Sequence, residues 1–260
     1  DDFPEIPKIE DVDFFDIHSI FFAKMIEKTA IITGAPDDNR AHIIGIFAER
    51  IQEKDQKIFR LVSTDGSRLS KSDCVFDKEF ELPPGPNILI PKKGLTEVAK
   101  FLDSEGSVKI GIKDNNFIVK KEKETLIIRL LEGDFPEYGD IVVVEGGHDI
   151  PLDRQLFLMT LKRMSILSSA EYKGVIFHFN TDKLLINSTN PDIGESKEDM
   201  DISYKGDPVE VMYNPKFFID TLGVIDEDNI ILNLIDEEKP CKIVGENDKS
   251  FLSVIMPMRI

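Results

Sequence analysis

Apolar residues recur at helical spacing in four places along this chain, and at strand spacing between them. Phe22, Met25, Ile26 and Thr29 stand at i, i+3, i+4 and i+7, which predicts a helix over 19–32 with one buried face. Leu95, Val98, Ala99 and Leu102 predict a second over 92–102. Phe157, Thr160, Leu161 and Met164 predict a third over 153–167. Asn214-Pro215-Lys216 opens a short fourth that runs through Leu222, with proline at a helix start, where its missing N–H costs nothing. Runs rich in β-branched and apolar residues predict strands at 43–47, 59–65, 108–112, 116–120 and 125–131. After the third helix they recur at 174–177, 185–190, 229–234, 241–245 and 251–255.

The order of these elements repeats. Gly45-Ile46-Phe47 is echoed by Gly174-Val175-Ile176-Phe177, and Leu61-Val62-Ser63-Thr64-Asp65 by Leu185-Ile186-Asn187-Ser188-Thr189-Asn190. Ile90-Pro91-Lys92 precedes the second helix much as Asn214-Pro215-Lys216 opens the fourth. Two like units follow, each strand-rich with two helices, an α+β class. Gly146-Gly147 divides them, giving expected domains at 9–146 and 147–260. Asp2-Phe3-Pro4-Glu5 recurs as Asp134-Phe135-Pro136-Glu137, so residues 1–8 read as the tail of an earlier copy of the unit.

Charge refines this picture. The 260 residues carry a formal net charge of −17, which argues against a protein that grips nucleic acid with its whole surface. The four predicted helices run the other way, with nine Lys and Arg against four Asp and Glu. By the helical period Lys24 and Lys28, and Lys93 and Lys100, are expected opposite the apolar faces, where a shared basic face would meet phosphates. Two cysteines, Cys74 and Cys241, are too few for a disulfide framework or a zinc site, and no apolar run approaches a membrane span. The expectation is a soluble protein of a reducing cytosol.

Several motifs taken together resemble a known family. They are 63–69 (Ser63-Thr64-Asp65-Gly66-Ser67-Arg68-Leu69), 90–94 (Ile90-Pro91-Lys92-Lys93-Gly94) and 132–138 (Glu132-Gly133-Asp134-Phe135-Pro136-Glu137-Tyr138). Ile166-Leu167-Ser168-Ser169, Lys173-Gly174-Val175 and the closing Ile255-Met256-Pro257-Met258-Arg259-Ile260 complete the set. In order and over essentially the whole chain they resemble the second and third domains of the bacterial DNA polymerase III beta subunit, the beta sliding clamps.

The resemblance implies tandem DNA-clamp domains with antiparallel sheets outside and helices lining the DNA-facing side. It implies a processivity factor that encircles duplex DNA without reading its sequence, as a head-to-tail homodimer when full length. This piece alone is then expected to be a monomer, in the bacterial cytoplasm and at the nucleoid during replication. Implied partners are the polymerase III catalytic subunit, the clamp loader, repair polymerases and mismatch-repair proteins, which insert short clamp-binding peptides into a cleft.

Carried over by position, that cleft uses Ile43, Thr64, Gly66, Arg68, Leu69, Pro136 and Ile141 from the first unit. The second contributes Tyr172, Asn214, Phe217, Val254, Ile255, Met256, Pro257, Met258 and Arg259. Implied DNA-facing residues are Lys24, Lys28, Arg40, Lys92, Lys93, Arg163, Lys173 and Lys216. Asp140 stands where some members carry a basic residue and Ser67 where some carry histidine, so peptide preference is open.

An enzyme is the competing reading, with Asp65 beside Thr64 as nucleophile or metal ligand. His18, His42, His148 and His178 lack ligand spacing, and there is no glycine-rich phosphate loop or nucleophile elbow. Asp65-Gly66 fits a turn better, with the carboxylate bonding nearby backbone. No catalysis, cofactor or metal is expected. A peptide-binding scaffold that never meets DNA is the other alternative, and the positively charged helices weigh against it.

Overall fold

The computed structural model describes residues 10–32, 34, 38–53, 55–143, 146–167, 174–192 and 194–259. The stray Asp2-Phe3-Pro4 and the expected site residues Tyr172 and Lys173 lie outside these. The contacts gather into two compact units.

The first repeat runs β1 (Phe15–His18), α1 (Ser19–Ala30), α2 (Ala41–Ile44), β2 (Gly45–Glu53), β3 (Gln56–Thr64), β4 (Arg68–Phe76) and β5 (Ile88–Pro91). It continues with α3 (Lys92–Phe101), β6 (Ser107–Lys113), β7 (Asn116–Lys121) and β8 (Glu124–Arg129). A short helix α4 (Gly139–Val142) follows. The second repeat runs β9 (His148–Asp153), α5 (Arg154–Met164), a 3-10 turn at Ser165–Leu167, β10 (Val175–Asn180), β11 (Lys183–Asn190), β12 (Gly194–Asp201) and β13 (Val209–Tyr213). It closes with α6 (Pro215–Gly223), β14 (Asn229–Leu234), β15 (Cys241–Gly245) and β16 (Phe251–Ile255).

Strand order shows one topology used twice. In the first repeat the orders are β1-β6-β7-β8 and β5-β2-β3-β4; in the second they are β9-β14-β15-β16 and β13-β10-β11-β12. Each strand holds the same place as its counterpart in the other repeat, and the pairings of β1-β6-β7-β8, of β2 with β5 and of the second repeat are antiparallel. In each repeat two helices pack on one another, α1 with α3 and α5 with α6.

The cores explain the helical periodicity. Phe22, Met25 and Ile26 of α1 and Leu95 and Val98 of α3 are buried with Phe59, Ile110 and Phe117 from the strands. Phe157, Leu161 and Met164 of α5 and Phe218 and Leu222 of α6 join Phe177, Phe179, Tyr213 and Phe251. Several of these rings meet edge to face, as Phe157 does Phe218 at 5.9 Å between centroids.

Three expectations need correction. Lys28 does not stand opposite the apolar face: it is buried. It lies three residues after Met25, only about 60° around the helix at 3.6 residues per turn, so its stem falls within the buried stripe. Ile43 and Ile44 are not in a strand but end the α2 turn, where both backbone N–H groups donate to the Arg40 carbonyl at 3.0 and 3.2 Å. The third helix begins at Arg154, because 148–153 is a strand in which alternate residues Ile150 and Leu152 are buried against β14. Asp153 ends that strand and caps the helix, its Oδ1 accepting from Leu156 N at 2.7 Å.

The compact units cut across the first repeat, whose residues 31–32 and 62–72 group with 136–260. Residues 62–72 make their contacts mainly with 136–260. The cause is strand pairing: Arg68 to Ser72 of β4 run antiparallel to β16, with Arg68 opposite Ile255 and Leu69 opposite Val254.

Candidate functional site

The second compact unit contains Thr64, Gly66, Arg68, Leu69, Pro136, Ile141, Asn214, Phe217 and 254–259, most of the residues expected in the cleft. The turn 64–68 is built by local hydrogen bonds. Asp65 Oδ1 accepts from the N–H groups of Ser67 and Arg68 at 3.0 and 3.1 Å. Thr64 Oγ1 accepts from Gly66 N at 3.1 Å and donates to the Arg68 carbonyl at 2.8 Å. Gly66 sits at φ +87°, where a side chain is strained, so the turn calls for glycine there. Asp65 is thus the turn residue that its pairing with glycine predicts.

Arg68 is the best-held charge of the site. Its side chain is 3 % exposed and lies between two carboxylates, Asp65 Oδ2 at 3.0 Å and Asp220 Oδ2 at 2.9 Å. It also donates to the Ile31 carbonyl at 3.3 Å, and its guanidinium carbon stands 4.3 Å from the Phe217 ring centre. A buried arginine needs such partners, since an unpaired one costs several kcal/mol, about 3–5 by analogy with broken buried pairs. Phe217 is only half-buried, being off the face of α6 that carries Phe218 and Leu222. Asn214 caps that helix, accepting from Lys216 N at 3.0 Å.

The closing segment lies beside this cluster. Met256 N donates to the Ser67 carbonyl at 2.9 Å, and Met258 N to the Met212 carbonyl at 2.8 Å. The backbone of 256–258 is therefore tied at both ends. Met256 is exposed, and Pro257 and Met258 are half-buried. Leu69, Val254 and Ile255 are interior, so they back the surface rather than form it. Pro136 and Ile141 are exposed. Ile43 is buried in the first unit.

A cavity of about 760 Å³ is lined by Met256, Pro257, Met258 and Arg259, together with Val211, Met212 and the exposed Glu210, Glu237 and Glu238. Its size suits a short peptide side-chain cluster. The glutamates and Met212 were not anticipated. They come from strand β13 and the 236–239 turn, far from the closing segment in sequence. Asp220 was also missed as a site residue, although its place three residues after Phe217 puts both on one side of α6.

The basic residues expected on the helices are less uniform. Lys93 is exposed at the start of α3, and Lys24 and Lys92 are half-buried. Three of the others already face acids. Arg40 forms a two-point pair with Asp38 at 2.7 and 3.0 Å. Arg163 pairs with Glu198 through Nε at 2.7 Å, and Lys216 with Asp220 at 3.2 Å. Hydrogen bonds from Arg40 hold the Asp38 carboxyl at about 2. Lys162, beside Arg163 on α5, is exposed and was not among the DNA-facing candidates.

No group of three His, Cys, Asp or Glu among the described residues is arranged to hold a metal, and no described helix is long and apolar enough to cross a membrane. Burial pushes the Cys74 thiol up to about 11 and the Cys241 thiol to about 12.

Comparison with known proteins identifies the family. The profile of the DNA polymerase III beta subunit central domain matches residues 16–137, and that of its C-terminal domain matches residues 145–259. A beta sliding clamp of Buchnera aphidicola is 30 % identical over 260 residues, spanning 100 % of this chain and 69 % of that protein. The chain belongs to the beta sliding clamp family. A Pseudomonas putida beta sliding clamp is 29 % identical over 91 % of this chain, which spans only 63 % of that relative's length. Among solved structures, a Bartonella birtlesii sliding clamp (DNA polymerase III subunit beta) bound to griselimycin superposes with a TM-score of 0.89. It is 25 % identical, over 100 % of this chain and 70 % of that one. The α+β clamp fold is thus shared, and the repeated strand order is that of two clamp domains.

Proposed function

We propose that this clamp-family chain acts in DNA replication as a processivity factor, encircling duplex DNA and tethering the replicative polymerase and other proteins to it, with no chemistry of its own. The observation that carries the reading is the gathering of Arg68, Phe217, Asn214 and 256–259 within one compact unit, beside an open cavity lined by methionines. Methionine side chains adapt to leucine or phenylalanine anchors, and the fixed Arg68–Phe217 pair offers a rigid wall. Polymerase III catalytic subunit, clamp loader, repair polymerases and mismatch-repair proteins are the partners proposed, each through a short peptide. The solved relative bound to griselimycin supports ligand binding by this fold.

The DNA-facing part of the proposal rests foremost on the exposed Lys93, with Lys24, Lys92, Arg40, Arg163 and Lys216 beside it. Lys28 contributes least, being buried. Topological holding needs only weak, sequence-neutral phosphate contacts, which fits an acidic chain with local basic helices. A place in the bacterial cytoplasm, in a head-to-tail ring, follows from the same reading.

Calorimetry with a peptide bearing leucine and phenylalanine anchors tests the cleft. Micromolar binding that weakens in the Phe217→Ala variant is expected. No heat and no shift in melting temperature at millimolar peptide would sink it. Cleavage assays on phosphodiesters and nucleotides should be blank.

A further inference from the structure

The cavity beside the closing segment has a composition that a purely apolar anchor would not need. Its apolar lining is thioether and proline, from Met212, Met256, Pro257 and Met258. Its lining also carries Glu210, Glu237 and Glu238 and, among the described residues, a single cation, Arg259. Glu237 and Glu238 are exposed and make no ion pair among the described residues, while Glu210 has a histidine neighbour, His178 Nδ1 at 3.0 Å. Lys239 follows on the same turn but does not line the cavity.

The backbone beneath the acids is fixed. Asp236 Oδ1 accepts from Glu238 N at 2.9 Å and from Lys239 N at 2.8 Å, so the turn presents 237 and 238 in one place. On the other side, the Met258–Met212 bridge fixes the tail along the edge of β13, which also carries Glu210. Two hydrogen-bonded segments therefore bring acid and thioether groups to one cavity.

We propose that this cavity selects clamp-binding peptides that carry a lysine or arginine beside the apolar anchor. The inference rests on the peptide-binding reading above and adds a charge preference to it. The fit is one of chemistry on both halves of the side chain. A lysine or arginine has an aliphatic stem, which packs on the three methionines, and a cationic head, which reaches the glutamates. An acidic residue at the same place would meet like charge. The whole chain's charge of −17 acts in the same direction at longer range, favouring approach of a cationic segment at low salt.

The test uses three amidated pentapeptides with the same leucine and phenylalanine anchors, differing at the residue between them: lysine, glutamine or glutamate. Binding to the intact protein is read by fluorescence anisotropy at 50 and 500 mM salt. The ε-methyl NMR signals of 13C-labelled methionine report the place. Lysine peptide is expected to bind about fivefold more tightly than glutamate peptide at low salt, with glutamine between, and the gap should shrink at high salt. Signals of Met212, Met256 and Met258 should shift. Paired Glu237→Gln and Glu238→Gln substitutions, on an exposed turn, should leave the melting temperature unchanged and remove most of the preference. Equal binding of all three peptides, or a preference for glutamate, overturns the charge preference and leaves the peptide site intact. Binding of none overturns both readings. A lysine preference that survives the double substitution, or that leaves those methionine signals unmoved, overturns the assignment to this cavity.

Discussion

Arg68 and Phe217 lie 149 positions apart in the chain, yet the arginine's guanidinium carbon stands 4.3 Å from the ring centre. Asp220, one helical turn beyond Phe217, grips the same guanidinium at 2.9 Å. The stack joins the β4 turn to helix α6 in one wall of the candidate cleft. Its energetic content is a nearly buried cation that needs both Asp65 and Asp220. The Asp220→Asn variant should lose about 1–3 kcal/mol of stability, since a charge-assisted bond goes while Asp65 still compensates Arg68. Urea unfolding measures this, and a loss below about 0.3 kcal/mol would show the pair to be dispensable.

The closing methionines should matter for binding and little for folding. Met256 is 38 % exposed, and neither it nor Met258 belongs to a buried core cluster. Met256→Ala with Met258→Ala should weaken an anchored peptide by about 1–3 kcal/mol, in the hot-spot range. The melting temperature should fall by only a few degrees, about 2–4 °C per kcal/mol for a chain of this size. Unchanged affinity by calorimetry would remove these residues from the site.

Gly66 isolates a backbone effect. A Cβ there would meet nothing within 4 Å, but φ is +87°. Gly66→Ala should therefore destabilise by about 1 kcal/mol through strain alone, with no clash to relieve. Gly66→Asn should cost less, because asparagine tolerates this region better. Equal losses in chemical denaturation would contradict the backbone account.

Acid should weaken one contact in a readable way. The side-chain hydrogen bond from Arg163 holds the Glu198 carboxyl below its ordinary value of 4.5. A depressed folded-state value contributes stability that is complete above the unfolded value and lost as pH falls through the folded one. Glu198→Gln should accordingly flatten the stability profile below about pH 4.5 while leaving it nearly parallel above about pH 6. It should also release Arg163 and strengthen binding to duplex DNA at low salt. Identical acid limbs in the two proteins would refute the pair's role.

The thiols should be inert in the folded chain. With Cys241 at about 12 and Cys74 at about 11, neither holds appreciable thiolate at pH 8. Alkylation by iodoacetamide should be slow until urea unfolds the protein, after which both react. Rapid native labelling of Cys241 would mean that the sheet carrying it opens locally.

Local pattern was enough for the class of the fold and for its repetition. Helix faces such as Phe157, Leu161 and Met164, and the paired Pro-Lys helix starts, depend on neighbours a few residues away, so periodicity reports them directly. Asp65-Gly66 was legible for the same reason: the turn it makes is closed by its own residues. Edge elements were harder. The strand at 148–153 has only Ile150 and Leu152 as inward residues, and its pairing with β14 lies about eighty positions away. Ile43-Ile44 looked like a strand by composition, and the carbonyl of Arg40 made it a helical turn.

Charge was the least legible property. Sequence counts the basic residues of the helices, but pairing across space decides which are available. Glu198 comes from β12 to neutralise Arg163, and Asp38 folds back on Arg40. Lys28 shares a face with Met25, so it is buried rather than presented. The cleft divides the same way. Motif resemblance proposed its segments, whereas Asp220 and the glutamates beside Met212, Met256 and Met258 entered only through the tertiary structure. Short-range sterics and hydrogen bonds shape an element from its own residues. Long-range pairing chooses among many distant partners by burial and complementarity, and no local window of sequence contains that choice.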